Sequence, residues 1–497
     1  MNPTTKNNNH NHFDVLIIGA GLSGIGAAHY IQTRCPDRSY AILEMRDAIG
    51  GTWDLFRYPS IRSDSDMYTL GYAFRPWKEA KAIADGSSIL NYIRQTAIDE
   101  QIDKKIQFNR RLVLANWSSK DKVWNIETVS KNKDTQEEEI INYSCNFLLM
   151  CSGYYNYDEG YTPDFEGFDE FEGTIVHPQK WTSDIDYQDK KVVVIGSGAT
   201  AVTLVPELAK KAELVTMLQR SPTYIISQPS KDKIADFFRK IFPSKIAYQF
   251  NRWKNVLFSL FFYKLAIKKP NFVKKYIKTQ TRKTLGKNYD VDKHFTPKYD
   301  PWKQRLCLVP DNDLFDAIKE KKAEIVTDNI KKFTQKGILL KSGKEIETDL
   351  IVTATGLKLD IMSGITLKKD NEKLELPNHY MYRGMMFSDI PNMAICVGYT
   401  NASWTLKTDL TCVYVCRLLN HMKKNNFDIC TPHLTQELED TFSNEPILDF
   451  NSSYVLRSID ALPKQGSKIP WKLNQNYPLD IMTIKYSSLE DEALKYN

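Results

Sequence analysis

The chain contains two copies of one pattern, in which an apolar, β-branched strand runs directly into a glycine-rich turn and then a helix. In the first copy the strand covers residues 13–18, and the turn reads Gly-Ala-Gly-Leu-Ser-Gly over residues 19–24. The next strand, residues 40–43, ends at Glu44, which is twenty residues after the last glycine. These features form a dinucleotide-binding fingerprint: the glycines allow a tight turn, a nearby pyrophosphate and close helix packing, and the acid accepts hydrogen bonds from a ribose. The predicted nucleotide contacts are Gly19, Gly21, Ser23, Gly24 and Glu44.

The second copy differs from the first after its second strand. Strand 191–195 precedes the turn Gly-Ser-Gly-Ala-Thr-Ala, and strand 214–218 is followed by Gln219, Arg220 and Ser221 instead of an acid. A carboxylate at this place would repel a 2′-phosphate, whereas a guanidinium and a hydroxyl would hold one. The first copy is therefore predicted to bind FAD or NAD, and the second to bind NADPH. The predicted contacts of the second copy are Gly196, Ser197, Gly198, Ala199, Thr200, Ala201, Val202, Arg220 and Ser221.

Two dinucleotide sites in one chain predict a flavin paired with a nicotinamide. Disulfide reductases share this plan but need a redox cysteine pair near the flavin, and Cys35, Cys145 and Cys151 of the first region are not paired in that way in the sequence. The eight scattered cysteines are typical of thiols in a reducing compartment. The first dozen residues are polar and lack the apolar core of a signal peptide. We therefore expect a cytoplasmic protein.

A motif between the two nucleotide folds is the most specific signal in the sequence. Residues 171–181 read F-x-G-x-x-x-H-x-x-x-W, from Phe171 through His177 to Trp181. This motif resembles the fingerprint of type I Baeyer–Villiger monooxygenases, and flavin-containing monooxygenases have a related motif without the tryptophan. The resemblance makes His177 a candidate catalytic residue. Two roles stay open for it, a link that couples the domains or direct proton transfer.

Other segments extend the resemblance over nearly the whole chain. Gly50 to Asp54 match the segment that wraps the flavin in this family, and residues 57–64 resemble its Y-P-G-x-R-x-D segment, with Ser60 in place of the glycine. A positive φ at Ser60 would cost strain. Residues 303–306 match the position of the family's active-site arginine, which is Arg305 here. The resemblance implies Arg305 and Asp64 as catalytic residues. It implies as further flavin contacts Thr52, Trp53, Asp54, Leu55, Arg62, Ser63 and Asp64.

The resemblance implies an NADPH- and O₂-dependent flavoprotein that binds FAD and forms a C4a-peroxyflavin. Peroxide attack on a ketone would give an ester or lactone, and a protonated peroxide would oxidise a sulfide or thioamide. The guanidinium of Arg305 would stabilise the peroxide anion because it keeps its proton, and Asp64 would hold that guanidinium. Two alternatives are a heteroatom-oxidising flavin monooxygenase without ketone activity and a membrane-associated NADPH–quinone reductase.

A strongly basic segment interrupts the second nucleotide fold. Residues 231–290 contain sixteen Lys or Arg, three Asp and no Glu, which gives this segment a net charge of +13. Because the whole chain carries +6, the remaining residues carry a net charge of −7. Helices are predicted over residues 233–242, 245–268 and 271–284, with Pro243 and Pro270 as breaks. The segment is either a helical insertion packed over the active site or an amphipathic surface that rests on anionic lipid. Without a recognition module, the charge does not favour nucleic acid.

The predicted fold class is α/β, with two Rossmann-like dinucleotide-binding domains and a helical insertion in the second. We expect an FAD domain over residues 1–155 that resumes over residues 380–497, where the chain also contributes to the substrate pocket. The NADP domain is expected over residues 156–379, with the insertion at about 231–290. The sequence offers no convincing metal site, and the oligomeric state stays open.

Overall fold

Each glycine-rich turn connects an inner strand of its own sheet to a helix. The computed structural model describes residues 11–131, 137–304, 306–443, 445–447 and 453–497. The strands of these residues are β1 (His12–Ile18), β2 (Tyr40–Leu43), β3 (Ile106–Gln107), β4 (Arg111–Ser118), β5 (Val123–Lys131), β6 (Glu138–Met150), β7 (Tyr155–Gly160), β8 (Thr174–Val176), β9 (Lys191–Ile195), β10 (Leu214–Gln219), β11 (Ile225–Gln228), β12 (Cys307–Pro310), β13 (Ala323–Thr327), β14 (Ile330–Thr334), β15 (Gly337–Leu340), β16 (Glu345–Glu347), β17 (Leu350–Thr353), β18 (Leu357–Leu359), β19 (Thr366–Lys369), β20 (Glu372–Lys373), β21 (Met381–Tyr382), β22 (Met386–Phe387), β23 (Met393–Ile395), β24 (Cys430–Pro432), β25 (Glu445–Pro446), β26 (Lys464–Gln465) and β27 (Leu494–Tyr496).

The α-helices of the same residues are α1 (Leu22–Arg34), α2 (Thr52–Leu55), α3 (Met67–Leu70), α4 (Gly86–Asp99), α5 (Ala199–Leu208), α6 (Lys233–Ile241), α7 (Ser244–Lys268), α8 (Pro270–Leu285), α9 (Val291–Phe295), α10 (Asp313–Lys319), α11 (Trp404–Asn425), α12 (Gln436–Glu439), α13 (Ser453–Leu456) and α14 (Tyr477–Asp480).

The first sheet has β1 near its centre. Its strand order is β20-β19-β4-β5-β6-β1-β2-β3, and β23 also pairs with β6. Strand β1 is parallel to β2 and β6, with Ile17 opposite Ile42 and Leu149. All three side chains are fully buried, as expected for parallel strands that are covered on both faces.

The second sheet is entirely parallel, with the order β13-β10-β9-β17-β8. Strand β9 lies at its centre and leads into the second glycine-rich turn and helix α5. The two sheets, each with a strand-turn-helix at its centre, are the predicted pair of Rossmann-like folds.

The chain crosses between the two sheets through a pair of antiparallel strands. Strand β7 follows β6 of the first sheet, and β18 follows β17 of the second sheet, so the two crossings pair with each other. After β18 the chain returns to the first sheet at Thr366, where β19 pairs with β4. The sequence boundary at 379 therefore falls after two strands, β19 and β20, that hydrogen-bond within the first sheet. The remaining domain boundaries stay a prediction.

The basic insertion forms helices α6, α7 and α8, whose bounds lie within one residue of those predicted. Pro270 opens α8 at its first position, where a missing N–H costs nothing. A buried ion pair fixes the middle of α7 to the first-sheet region, because Arg252 donates to Asp409 of α11 at 3.0 Å. Arg252 also donates to the carbonyls of Tyr68 at 2.9 Å and Gly71 at 2.7 Å.

Candidate functional site

A single cavity of about 890 Å³ reaches both glycine-rich turns. It is lined by Gly19 and Gly21 at the carboxyl end of β1 and by Gly196 and Gly198 at the carboxyl end of β9. Ligands of open α/β sheets bind at these strand ends. Because one cavity contains both turns, two dinucleotides bound there would lie close to each other.

Two glycines of the first turn allow close packing. Gly19 has φ +102, and a Cβ there would lie 2.7 Å from the carbonyl oxygen of Cys151. A Cβ on Gly24 would lie 1.8 Å from the carbonyl oxygen of Gly19. The turn and the start of α1 can therefore approach each other only without side chains. In the described part of the chain, no side chain caps α1, so its first N–H groups suit an anion.

Glu44 is buried at the edge of the cavity. Its Oε2 accepts a hydrogen bond from the backbone N–H of Ala20 at 2.7 Å, and its Oε1 accepts one from Arg46 at 2.9 Å. Burial raises the pKa of this carboxyl, and the two backbone donors act in the opposite direction. Each carboxylate oxygen has a further lone pair, which can accept a hydrogen bond from a ribose hydroxyl.

The second turn is tight at its first glycine and open at its second. Gly196 has φ +136, and a Cβ there would lie 2.3 Å from the carbonyl oxygen of Ala354. A Cβ on Gly198 would meet no heavy atom of the described residues within 4 Å. Ala201, at the third position of the fingerprint, is fully buried in the core beneath the turn, where Val202 is buried too. The position of Gly198 therefore leaves room for a ligand directly above the backbone.

Arg220 and Ser221 line the same cavity. Arg220 is exposed and forms no ion pair with residues that the structure describes. Ser197 fixes this loop, because its hydroxyl donates to the carbonyl of Ser221 at 3.1 Å and lies 2.8 Å from the Thr223 hydroxyl. Ala199 and Thr200 complete the cavity wall on this side. The arrangement offers a cation and a hydroxyl at the place where a 2′-phosphate would lie.

Only part of the predicted flavin-wrapping segment faces the cavity. Thr52 and Trp53 line it, as does Ser23 of α1. Asp54 and Leu55 lie outside the set of described residues that form its wall.

The buried carboxylate of Asp54 instead contacts three guanidinium groups, at 2.6 Å from Arg46, 2.9 Å from Arg57 and 2.8 Å from Arg94. The three guanidinium groups offset the cost of burying this carboxylate, and the cluster holds the segment in place.

Arg62 lies between the two nucleotide folds. Its Nη1 is 2.6 Å from Asp313 of α10, and the Arg62 side chain is only 9% exposed. Its Nη2 donates to the carbonyl of Val202 at 3.4 Å. The neighbouring Ser63 and Asp64 line the cavity, and Arg62 is not among the described residues that do so. This placement suits a residue that joins the two folds.

His177 packs on the strands that connect the sheets. Its Nδ1 accepts a hydrogen bond from the backbone N–H of Gln179 at 3.1 Å, so Nε2 carries the proton and donates to the carbonyl of Gly356 at 3.1 Å. A Cβ on Gly160 would lie 2.0 Å from the ring. Burial lowers the pKa of His177, which makes the ring neutral at pH 7. His177 is not among the described residues that line the cavity, a position that favours the link over proton transfer.

The predicted active-site arginine, Arg305, lies outside the described residues. Its described neighbours Gln304 and Cys307 both line the cavity, and so does Asp64. All eight cysteines are buried thiols. The catalytic roles of Arg305, Asp64 and His177 stay predictions.

Ser60 adopts the left-handed conformation that its family segment fills with glycine. Its φ is +58, and for a serine this conformation costs about 1 kcal/mol relative to glycine. The strain expected from the sequence is therefore present in the loop that leads to Ser63 and Asp64.

Sequence reasoning missed Tyr154, Tyr161 and Arg457, which line the cavity with Trp404. Tyr154 stacks on Trp404 with ring centroids 4.7 Å apart, and the Trp404 indole N–H donates to Ser23 at 2.9 Å. Arg457 lies over the Tyr161 ring at 3.4 Å. Tyr154 was detectable as the residue after the Gly153 exit of β6, since ligand-binding residues follow parallel strands. Arg457 had no signal, because only the tertiary structure brings residues near 457 to the cavity.

Comparisons with known proteins show which family the chain resembles over nearly its whole length. Residues 13–401 match the family described as flavin-binding monooxygenase-like. The FAD-containing monooxygenase EthA of Mycobacterium tuberculosis is 51% identical over 486 residues, which cover 98% of each chain. EthA of Mycolicibacterium smegmatis is 50% identical, covering 98% of this chain and 97% of its own.

Solved structures share the fold at low sequence identity. An oxidized steroid monooxygenase bound to NADP has a TM-score of 0.77 at 20% identity and covers 98% of this chain and 99% of its own. A polycyclic ketone monooxygenase from Thermothelomyces thermophila has a TM-score of 0.77 at 16% identity, with 99% and 91% covered. The predicted α/β fold class is confirmed.

Proposed function

The chain belongs to the flavin-binding monooxygenase-like family, and we propose that it is a Baeyer–Villiger-type enzyme that uses FAD, NADPH and O₂. It converts ketones to esters or lactones and S-oxygenates sulfides or thioamides. The observation that carries this proposal is one cavity that reaches both glycine-rich turns and ends at an aromatic wall. Such a cavity would bring a nicotinamide close to a flavin, and its aromatic wall offers apolar surface to a substrate.

The residues of the first turn fit FAD. Gly19 and Gly24 keep the turn free of side chains, the uncapped start of α1 suits the pyrophosphate, and Glu44 suits the ribose. Bound FAD supplies the reaction of reduced flavin with O₂, which in this proposal proceeds through a C4a-peroxyflavin.

The residues of the second turn fit NADPH rather than NADH. Gly198 leaves open space for the pyrophosphate, and Arg220 with Ser221 offers a charge-assisted site for the 2′-phosphate. Arg305 stabilises negative charge in the oxygenation step, and Asp64 positions that arginine. Because the insertion is basic, aromatic-rich and amphipathic, the proposal includes peripheral contact with an anionic membrane.

Rapid mixing of the reduced protein with O₂ tests the reaction, with absorbance as the readout. A transient C4a-peroxyflavin spectrum followed by ester or lactone from a ketone supports the proposal. Direct return to oxidised flavin with release of peroxide contradicts it and favours the quinone reductase. Sulfoxide without any ester or lactone favours the heteroatom-oxidising enzyme.

The variant Arg305→Ala tests the assigned arginine. NADPH reduces the flavin of this variant at the normal rate, but oxygenated product falls by about 100-fold or more. Lys303→Ala, two residues away, is the control and keeps wild-type product formation. Product at wild-type rates in Arg305→Ala would show that this residue does not have the role proposed.

A further inference from the structure

Helices α6 and α7 expose an unusual concentration of large apolar side chains. On α7, Ile246, Phe250, Trp253, Leu257 and Phe261 recur every three or four residues, so they lie along one side of the helix. We call these five residues the apolar stripe. Their exposed fractions run from 40% at Trp253 to 64% at Phe261. Contiguous apolar surface of this kind marks an interaction site.

The stripe continues onto α6. Phe238 of α6 stacks on Phe250 with ring centroids 5.8 Å apart, and Phe242 lies 5.5 Å from the same ring. Ile234 and Phe237 of α6 are also more than half exposed. The two helices therefore present one continuous apolar surface rather than separate patches.

Lysines border this surface. Lys240, Lys245, Lys264, Lys268 and Lys269 lie on or directly after α6 and α7 and form no ion pair with the residues that the structure describes. The whole insertion carries +13. This arrangement matches an anionic lipid surface, because the apolar side chains would contact acyl chains and the lysines would contact anionic headgroups. No helix of the described residues is long and apolar enough to cross a bilayer.

The opposite side of α7 packs next to the cavity wall. Val256 of α7 is buried against Tyr399 and Leu406, with Ala402 beside them. Tyr399 and Ala402 line the cavity. One helix thus separates the apolar surface outside from the cavity inside, and the Arg252–Asp409 pair fixes it in that position.

We infer that α6 and α7 lie in the headgroup region of an anionic bilayer and that the cavity takes its apolar substrate from this bilayer past α7. The first half of this proposal, the position of α6 and α7 in the bilayer, is argued from their exposed surface alone. The second half, supply of substrate from the bilayer, rests on the proposed monooxygenase function. The substrate class is a ketone or thioether that partitions into lipid.

Sedimentation with lipid vesicles tests the first half. The protein is expected to bind vesicles of phosphatidylcholine with phosphatidylglycerol and to leave them when salt is raised, but not to bind vesicles of phosphatidylcholine alone. The double variant Leu257→Ser, Phe261→Ser loses binding by at least about tenfold. The control Ile98→Ser, Ile140→Ser changes side chains of matching exposure, 52% and 62%, outside the insertion and binds like wild type.

Three outcomes overturn this half. The first is that the protein binds neutral and anionic vesicles equally. The second is that the stripe variant binds vesicles as well as wild type does. The third is that the same residues mediate self-association or duplex DNA binding while the protein does not bind vesicles.

Activity assays test the second half. With a ketone dissolved in the bilayer, the stripe variant has a KM raised by at least about tenfold, whereas kcat and the KM for a water-soluble ketone stay at wild-type values. Equal KM values for the bilayer ketone in variant and wild type would refute supply from the membrane. If wild type oxygenates neither ketone, the proposed function fails, and the vesicle result still decides the docking surface.

Discussion

The glycines of the two turns do different physical work. Gly24 is required by the protein itself, because a Cβ there would lie 1.8 Å from the carbonyl oxygen of Gly19. Gly198 is required by nothing within 4 Å of it among the described residues. The open space at Gly198 therefore suits a bound ligand rather than packing within the protein.

A pair of alanine variants separates these two uses. Gly24→Ala is expected to lower the free energy of unfolding by about 1–3 kcal/mol and to weaken FAD retention, since the helix must move. Gly198→Ala is expected to change stability by less than about 1 kcal/mol but to raise the KM for NADPH about tenfold. Thermal unfolding, flavin content and steady-state kinetics are the measurements. Equal stability losses in both variants would contradict this distinction.

Arg220 is expected to select the nicotinamide cofactor. Arg220→Ala removes a charge-assisted contact worth about 1.5–3 kcal/mol, so the KM for NADPH rises about 10- to 100-fold while that for NADH stays constant. Lys424→Ala, an exposed cation near the end of α11 and outside the described cavity wall, is the control. If the KM values for both cofactors rose together, the role in 2′-phosphate recognition would be wrong.

The two sheets are joined by the paired strands β7 and β18. Helical and strand periodicity predicted the sheets, but the pairing of two short connecting strands depends on contacts between residues far apart in sequence. His177 lies against both, with its proton donated to Gly356 after β17 and its ring against Gly160 of β7. Because Nδ1 accepts from the Gln179 N–H while Nε2 donates to Gly356, the imidazole must be neutral.

The stability of this junction depends on pH. The folded-state pKa of His177 is lowered by burial, so the unfolded chain binds more protons near its own pKa of about 6.5. The stabilisation is therefore fully present above about pH 6.5 and is lost as the pH falls below it. Thermal unfolding at several pH values should show His177→Gln less stable than wild type at pH 8, with a smaller difference at pH 5. A constant difference would contradict the assignment.

Among the helices, α7 shows what periodicity can and cannot predict. Its bounds followed from the sequence to within one residue. Which side faces the cavity wall depended on the buried contacts of Arg252 and Val256, and these partners lie more than 140 residues away.

In the molecule as a whole, the two nucleotide folds contact each other directly beside the cavity. Arg62 of the first region pairs with Asp313 of the second. Tyr58 of the first region packs against the core of the second fold, and burial raises the pKa of Tyr58 to about 12. These contacts hold the two nucleotide folds against each other beside the cavity.

Removal of the Arg62 pair should therefore affect transfer between cofactors more than their binding. In Arg62→Ala the rate of flavin reduction by NADPH is expected to fall roughly 10- to 100-fold because the donor and acceptor are less well aligned. Flavin content and the dissociation constant for NADPH stay near wild-type values. Lys423→Ala, which breaks an exposed ion pair with Asp37 outside the described cavity wall, is the control. A loss of cofactor affinity with a normal reduction rate would instead make Arg62 a cofactor contact.

The sequence by itself determined the α/β fold class, the two nucleotide turns, the family and the helical insertion, because each is specified by residues within a few turns or strands of one another. Local spacing fixes which glycines lie in a turn and which face of a helix is apolar. The tertiary structure decided that Asp54 and Arg62 form ion pairs, that His177 contacts the connecting strands, and that Tyr154, Trp404 and Arg457 form the wall. It also decided that the chain rejoins the first sheet at Thr366. These features depend on contacts between distant segments, whose geometry exists only after the two sheets and the insertion have packed together.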